Sequence, residues 1–251
     1  MHDLIWRELP ELFSFRYRAL RRVLFGLAIK SADSIVTISD GSARAISKFY
    51  PQCKNKIIFH GIGDSFKNEN SLCNQQGVDG EDLIEGQYLL TVGRHEPRKN
   101  YDRLVRAYGE SKISGLMKLV IVGYVDKNFE TQHEFDSGVI CLTDVSDSQL
   151  SNIYRNCTAF IFPSLAEGYG LPVREALQYK KPVLVSNTFP CKPTLELCAE
   201  VFDPESTAAI SRSIDNVMDR ILCDECIGPT EEQLAMLPTW QSHVTCMSTL
   251  F

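Results

Sequence analysis

Short apolar runs rich in β-branched and aromatic residues alternate with helical stretches along this chain, and no other feature restricts its fold as strongly. The runs that read as strands cover residues 34–38, 56–59, 88–92, 118–122, 139–142, 159–162, 182–185 and 200–202. Helical patterns lie between them at 42–49, 101–110, 147–155, 171–179 and 207–222. Strands that are apolar throughout, each followed by a helix, belong in a parallel sheet covered on both faces. The expected architecture is therefore α/β, a doubly wound, Rossmann-like parallel sheet.

The alternation is unevenly distributed. Residues 64–86 are polar, rich in Asn, Gln and Gly, and lack periodicity, which predicts a linker or loop, with a hinge-like crossing at His60-Gly-Ile-Gly63. Residues 87–251 carry a full set of strands and helices followed by C-terminal helices. Residues 1–63 hold only a helix, a strand, a helix and a strand. So short a stretch seldom makes an independent parallel sheet, so it reads as the remnant of a larger N-terminal domain.

Composition narrows the function classes. The formal net charge of −6 offers no whole-chain reason to bind nucleic acid, so any grip on phosphate must be local. Nine cysteines, an odd number, with no secretory signal fit a reduced, cytoplasmic setting. Cys223-Asp-Glu-Cys226 has the spacing of a zinc or redox pair, yet no second pair completes a four-ligand site, and two ordinary thiols at a helix end is the favoured reading. No run is long and apolar enough to span a bilayer. Residues 15–30 (FRYRALRRVLFGLAIK) set five basic residues beside Leu20, Val23, Leu24 and Leu27. A domain-surface helix with a solvated basic face is favoured; peripheral contact with the inner face of an anionic membrane is the alternative.

Chemistry concentrates in two segments. In Phe162–Leu177 (FPSLAEGYGLPVREAL) a buried strand ends, a loop carries Glu167, Gly168-Tyr169-Gly170 turns, and Leu171-Pro172 opens a helix, proline being well suited to the first helical turn. Unpaired N–H groups at that helix start favour an anion, and open α/β sheets bind ligands at the carboxyl ends of their strands. Glu167 and Glu175 then flank the position, suiting a ligand with phosphate in the middle and hydroxyls at both ends. In the second segment the strand at 88–92 ends in Gly93-Arg94, and the loop HEPRKN leads to the next helix, so that Arg94 and Lys99 project at the same sheet edge. Arginine there offers a planar fork and lysine a point charge to a diphosphate.

These two segments resemble the signature of the group 1, or family 4, retaining glycosyltransferases of the two-domain GT-B fold. That family carries P-S-x-x-E-G-[FY]-G-L-P-x-x-E-A preceded by G-R-x-x-x-x-K-[NG]; here the matching stretches are PSLAEGYGLPVREA and GRHEPRKN. ADSIVTISDGS, LVIVG, DVSDSQLSNIYRNCTAFIFPS and Trp240 extend the similarity over nearly the whole chain, and the RKN-Y and HDL elements resemble mannosyl- and related hexosyltransferases. TFPCKPTLEL departs from the family's usual leucine-proline-glutamate step. The resemblance implies that residues 87–251 form the nucleotide-sugar-binding domain and that most of the acceptor domain is lacking. It implies transfer of a hexose from a GDP- or UDP-sugar to a hydroxyl of a glycan or lipid-linked acceptor, in glycan or polysaccharide biosynthesis, with retention and without a cofactor. Arg94 and Lys99 would hold the diphosphate, with Gly93 beside them, and Glu175 would accept from the ribose hydroxyls. Glu167 would contact the transferred sugar, Gly168, Tyr169, Gly170 and Leu171 would supply main-chain contacts, and His2 would reach the sugar from the acceptor side. No Asp-x-Asp motif is present, in keeping with a metal-independent reaction.

Three rivals are weighed against this. Retaining glycosidases need two carboxyls about 5–5.5 Å apart across one bond, whereas one glutamate here is expected at the ribose end. A dinucleotide dehydrogenase lacks its GxGxxG, since Gly61-Ile-Gly63 runs into Asp64-Ser65-Phe66. A catalytically silent nucleotide-sugar-binding module, or a remnant that needs a partner domain, is the strongest alternative.

Overall fold

The computed structural model describes residues 3–59, 84–124, 138–225, 227–237 and Ser248. Six parallel strands form the main sheet: β3 (Tyr88–Val92), β4 (Lys118–Val122), β5 (Val139–Leu142), β6 (Ala159–Phe162), β7 (Val183–Ser186) and β8 (Glu200–Phe202). Their spatial order is β5-β4-β3-β6-β7-β8, so the chain winds outward in one direction from β3 and in the other from β6. The register places Leu89 opposite Ala159 and Leu90 opposite Phe160 at this switch point.

Period-two alternation within the strands divides the core into two layers. Leu90, Val92, Val120, Phe160, Phe162, Val183 and Val185 face one way. They pack there against Ile153 and Tyr154 of α5 (Asp147–Asn156) and Val173, Ala176 and Leu177 of α6 (Leu171–Gln178). Leu89, Leu119, Ile121, Ala159, Ile161 and Leu184 face the other way. Their partners are Leu104 and Tyr108 of α4 (Tyr101–Gly109) and Ile210, Ile214 and Val217 of α8 (Thr207–Leu222). The doubly wound parallel sheet expected from the alternation is thus present. Five of the six main-sheet strands have the predicted bounds; β7 begins and ends one residue later, and Pro182 before it has no N–H to donate, its carbonyl alone accepting from the Phe160 N–H at 2.9 Å.

Before the main sheet lie α1 (Ile5–Glu8), α2 (Phe15–Ser31), β1 (Ile35–Thr37), α3 (Asp40–Phe49) and β2 (Ile57–Phe59), the two strands pairing in parallel. Leu4, Trp6, Ile29, Ile35, Ala45, Ile46, Tyr50 and Cys53 make a small separate core. Helix α3 begins at Asp40 rather than at 42, because Ser39 caps it, its hydroxyl oxygen accepting from the Ser42 N–H at 2.9 Å. Helix α2 lies on the surface as expected, with Ser14 as its cap and only Ile29 buried along its length. Several of its apolar residues are nonetheless exposed, Leu20 at 61% and Leu27 at 62%. Among the described residues no helix is long and apolar enough to cross a membrane.

Several expectations fall outside the described residues: His2, the stretch 60–83 with most of the predicted linker and the hinge-like crossing, Cys226, and Trp240 with most of the C-terminal stretch. Short helices α7 (Lys192–Leu195) and α9 (Glu231–Ala235) and three 3-10 turns at Pro10–Leu12, Pro51–Lys56 and Pro97–Lys99 complete the described elements. Of the remaining cysteines, Cys157 is deeply buried and its thiol is pushed up to about 12 by desolvation, so it stays protonated.

Candidate active site

The loops after β3 and β6, the neighbouring strands from which the sheet winds in opposite directions, meet at its carboxyl edge. Main-chain bonds lock them together. The Leu165 N–H donates to the Arg98 carbonyl at 2.8 Å. The Asn100 side-chain amide donates to the Pro163 carbonyl at 3.1 Å and to the Pro204 carbonyl at 2.8 Å. Asn100 adopts φ of 61°, a left-handed conformation that asparagine tolerates better than most residues.

Lys99 and Glu167, predicted from separate motifs, form an ion pair with Nζ 2.7 Å from Oε1. Both are withdrawn from water, with side chains 7% and 11% exposed. The Lys99 ammonium also lies 4.5 Å from the centre of the Phe162 ring. Gly93 makes room for it: a Cβ there would approach Lys99 Cε to 3.2 Å and Nζ to 3.3 Å. Burial pushes the Lys99 ammonium below the ordinary lysine value, and the attraction of Glu167 opposes this. Raising the pH therefore discharges Lys99 earlier than a solvated lysine. Any anion affinity it supplies is expected to disappear on an alkaline limb that Lys99→Arg moves to higher pH. Titrating diphosphate affinity against pH checks this, and an unmoved limb would belong to another group.

Arg94 and Glu175 are held by other contacts. Arg94 is exposed and sits over the Tyr124 ring at 5.3 Å, beyond the end of β4. The His95 N–H donating to the Tyr124 carbonyl at 2.7 Å ties the same two loops. Glu175, in the second turn of α6, accepts a hydrogen bond from the Tyr154 hydroxyl at 2.8 Å. Burial first, and the neighbouring Glu175 second, raise the Tyr154 phenol well above its usual value, so Tyr154 remains a donor.

The turn before α6 is held from both sides. Gly170 has φ of 84°, and a Cβ there would reach to 2.2 Å from the Phe189 ring. The Gly168 carbonyl accepts from Ser39 at 2.6 Å and from Ser42 at 3.3 Å, joining this loop to the start of α3. Tyr169 is buried, its hydroxyl accepting from Arg174, while Leu171 is 41% exposed at the helix start. A cavity of about 270 Å³ adjoins Glu167, lined also by Asp3, Glu8, Arg44, Lys48 and Thr188, so the N-terminal segment and the main domain share its walls.

Arg98 was not singled out by the sequence reading, although it lies inside HEPRKN. Its Nη1 donates to Glu167 Oε1 at 2.7 Å and its Nε to Glu96 Oε2 at 2.8 Å. Its position between two charged motif residues was the available signal. Tyr154 carried no such signal, since a tyrosine in an amphipathic helix is ordinarily core. Among the described residues, no group of three His, Cys, Asp or Glu is arranged to hold a metal ion.

A doubly wound sheet with basic and acidic side chains at its switch point is the architecture of α/β proteins that bind phosphorylated ligands. The family model for glycosyl transferases group 1 matches residues 82–227, more than half of the chain, and the protein belongs to that family. The O-antigen chain mannosyltransferase B of Escherichia coli is 27% identical over 225 residues, covering 85% of this chain and 58% of that protein. The serotype-specific mannosyltransferase WbdA of Escherichia coli is 26% identical over 207 residues, covering 77% of this chain. The chain thus spans 58% of the first of these relatives and 25% of the second. In fold it is similar to Anabaena Alr3699/HepE, solved in complex with UDP-glucose, at a TM-score of 0.74 and 16% identity over 99% of this chain and 71% of that one. WaaG, a glycosyltransferase involved in lipopolysaccharide biosynthesis, aligns at a TM-score of 0.71 and 15% identity over 98% of this chain and 72% of that one.

Proposed function

We propose that the protein transfers a hexose, with mannose the favoured sugar, from a nucleoside diphosphate to an acceptor hydroxyl with retention at the anomeric carbon. The observation that carries the reading is the Lys99–Glu167 pair at the carboxyl edge of β3 and β6, beside the opening turn of α6. The buried ammonium supplies positive charge where the leaving diphosphate develops negative charge, and such preorganised charge is worth a few kcal/mol to a transition state. Arg94 extends the cationic edge toward solvent, Glu167 accepts from hydroxyls of the sugar, and Glu175, oriented by Tyr154, accepts from the ribose. Residues 87–251 serve as the donor-binding domain. The N-terminal segment supplies part of the acceptor side through the cavity next to Glu167. The names of the mannosyltransferase relatives support the sugar, and the HepE complex with UDP-glucose supports a nucleotide-sugar donor.

Thermal-shift measurements with GDP-, UDP-, ADP- and CDP-sugars test the donor class, and a flat response to the whole panel rejects it. Glu175→Ala is expected to weaken donor affinity by roughly 10- to 100-fold, since a charged acceptor of hydroxyl hydrogen bonds is worth roughly 1.5–3 kcal/mol. Calorimetry reads the change, and wild-type affinity in that variant removes the ribose role. Arg94→Ala, exposed and screened by solvent, is expected to cost less than Lys99→Ala in the same titration.

A further inference from the structure

We propose that Arg98 controls diphosphate binding without touching the ligand, by holding the Glu167 carboxylate so that Lys99 is free to leave it. The proposal rests on the reading that Lys99 grips the donor diphosphate.

The geometry presents a conflict. The only ion-pair partner of Lys99 among the described residues is Glu167, at 2.7 Å, and both groups are largely removed from water. An incoming diphosphate must draw the ammonium away. A buried carboxylate abandoned by its counter-ion is strongly destabilised, and that cost would be subtracted from ligand affinity. Arg98 removes the conflict, because its Nη1 lies 2.7 Å from the same Glu167 oxygen, Oε1. It is also fastened independently of Lys99: Nε bonds Glu96 Oε2 at 2.8 Å, and Nη1 reaches the Ala166 carbonyl at 3.3 Å. The cluster holds two cations, Arg98 and Lys99, and two carboxylates, Glu96 and Glu167. When Lys99 turns to an anion, Arg98 stays bridged between the two carboxylates and neither is left bare. The planar fork of arginine suits this double attachment, and a lysine ammonium cannot span it in the same way.

This assigns opposite signs to two neighbouring substitutions. In Arg98→Ala, Lys99 becomes the sole counter-ion of Glu167 and is retained there, so affinity for GDP or UDP falls. In Glu167→Gln, the competitor for Lys99 is neutralised, so affinity for the same nucleotides rises. The combination separates this role from others. If Arg98 acts by freeing Lys99, removing the charge of Glu167 makes Arg98 dispensable.

The experiment is calorimetric titration of the full chain with GDP and UDP, which carry no sugar and so avoid the contacts of Glu167 with a hexose. Arg98→Ala is expected to lose about tenfold in affinity, the size typical of a close charge pair. Arg98→Ala with Glu167→Gln is expected to return to within about threefold of wild type, near the limit of ordinary additivity errors. An unchanged affinity in Arg98→Ala overturns the proposal, provided Lys99→Ala weakens binding. So does a loss that Glu167→Gln fails to rescue, the result expected of direct ligand contact or a merely structural role. Should Arg98→Ala not fold, Arg98→Met carries the same test, because it keeps the bulk of the stem and removes the charge that holds Glu167. Wild-type protein that binds neither nucleotide, or Lys99→Ala that binds as wild type, removes the underlying reading and the proposal with it.

Discussion

Lys99→Ala is expected to lower hexose transfer by about 10²–10³-fold, the range seen when one preorganised charge-stabilising group is deleted. The reason is local. Lys99 is a cation buried against the Phe162 ring and the open backbone of Gly93, where water screens it little. An exposed lysine elsewhere on the chain would contribute far less. Stability is expected to change little, because Glu167 keeps Arg98 on the same carboxylate oxygen at 2.7 Å. The measurement pairs turnover of the donor that most raises the melting temperature with the melting temperature of the unliganded variant. A variant with wild-type turnover removes Lys99 from the reaction. One that melts far below wild type makes Lys99 a structural residue instead.

Gly170→Ala is expected to be the most destabilising single methyl addition near the site. At φ of 84° any L-residue is strained, at a cost of roughly 1–2 kcal/mol. The new Cβ would also lie 2.2 Å from Phe189 Cε2 and 2.7 Å from Cζ. The ring is itself buried and wedged edge-on against Phe162, so it cannot swing away freely. Overpacking of this kind adds about 1–3 kcal/mol. Together these should lower the melting temperature by roughly 5–15 °C for a chain of this size. Because Gly170 precedes the first turn of α6, any folded fraction should also bind nucleotide more weakly. A melting curve that superposes on wild type would mean the turn has another conformation.

Much of the fold was legible because its signals are local. β3, β4 and β5 have no neighbours in sequence that obscure their apolar runs, and β6 is followed at once by Pro163, which ends it. α8 matched its predicted bounds because Ser206 caps it and its buried positions, Ile210, Ile214 and Val217, recur at helical spacing. The start of α3 was missed by two residues because Ser39, left between the strand at 34–38 and the helix at 42–49, shows itself as the cap only through its hydroxyl accepting from the Ser42 N–H. The exposed apolar side of α2 was equally illegible, since periodicity reports which residues share a face and not whether anything covers it.

The candidate site divides along the same line. Motif residues Lys99, Glu167, Glu175 and Gly93 announced themselves through spacing, turn chemistry and placement after strands. Their pairings did not. Lys99 meets Glu167, 68 positions away in the chain, only because β3 and β6 are neighbours in the sheet. Tyr154 orients Glu175 because α5 and α6 pack on one face of that sheet.

By itself, then, the amino-acid sequence determined the alternating elements, the parallel sheet and the residue types brought to its carboxyl edge, since periodicity and turn preference act between near neighbours. Tertiary structure alone decided which charges neutralise one another. Strand order sets the distances between loops, and the withdrawal of water there strengthens the attraction of Arg98 and Lys99 for the one Glu167 oxygen they share.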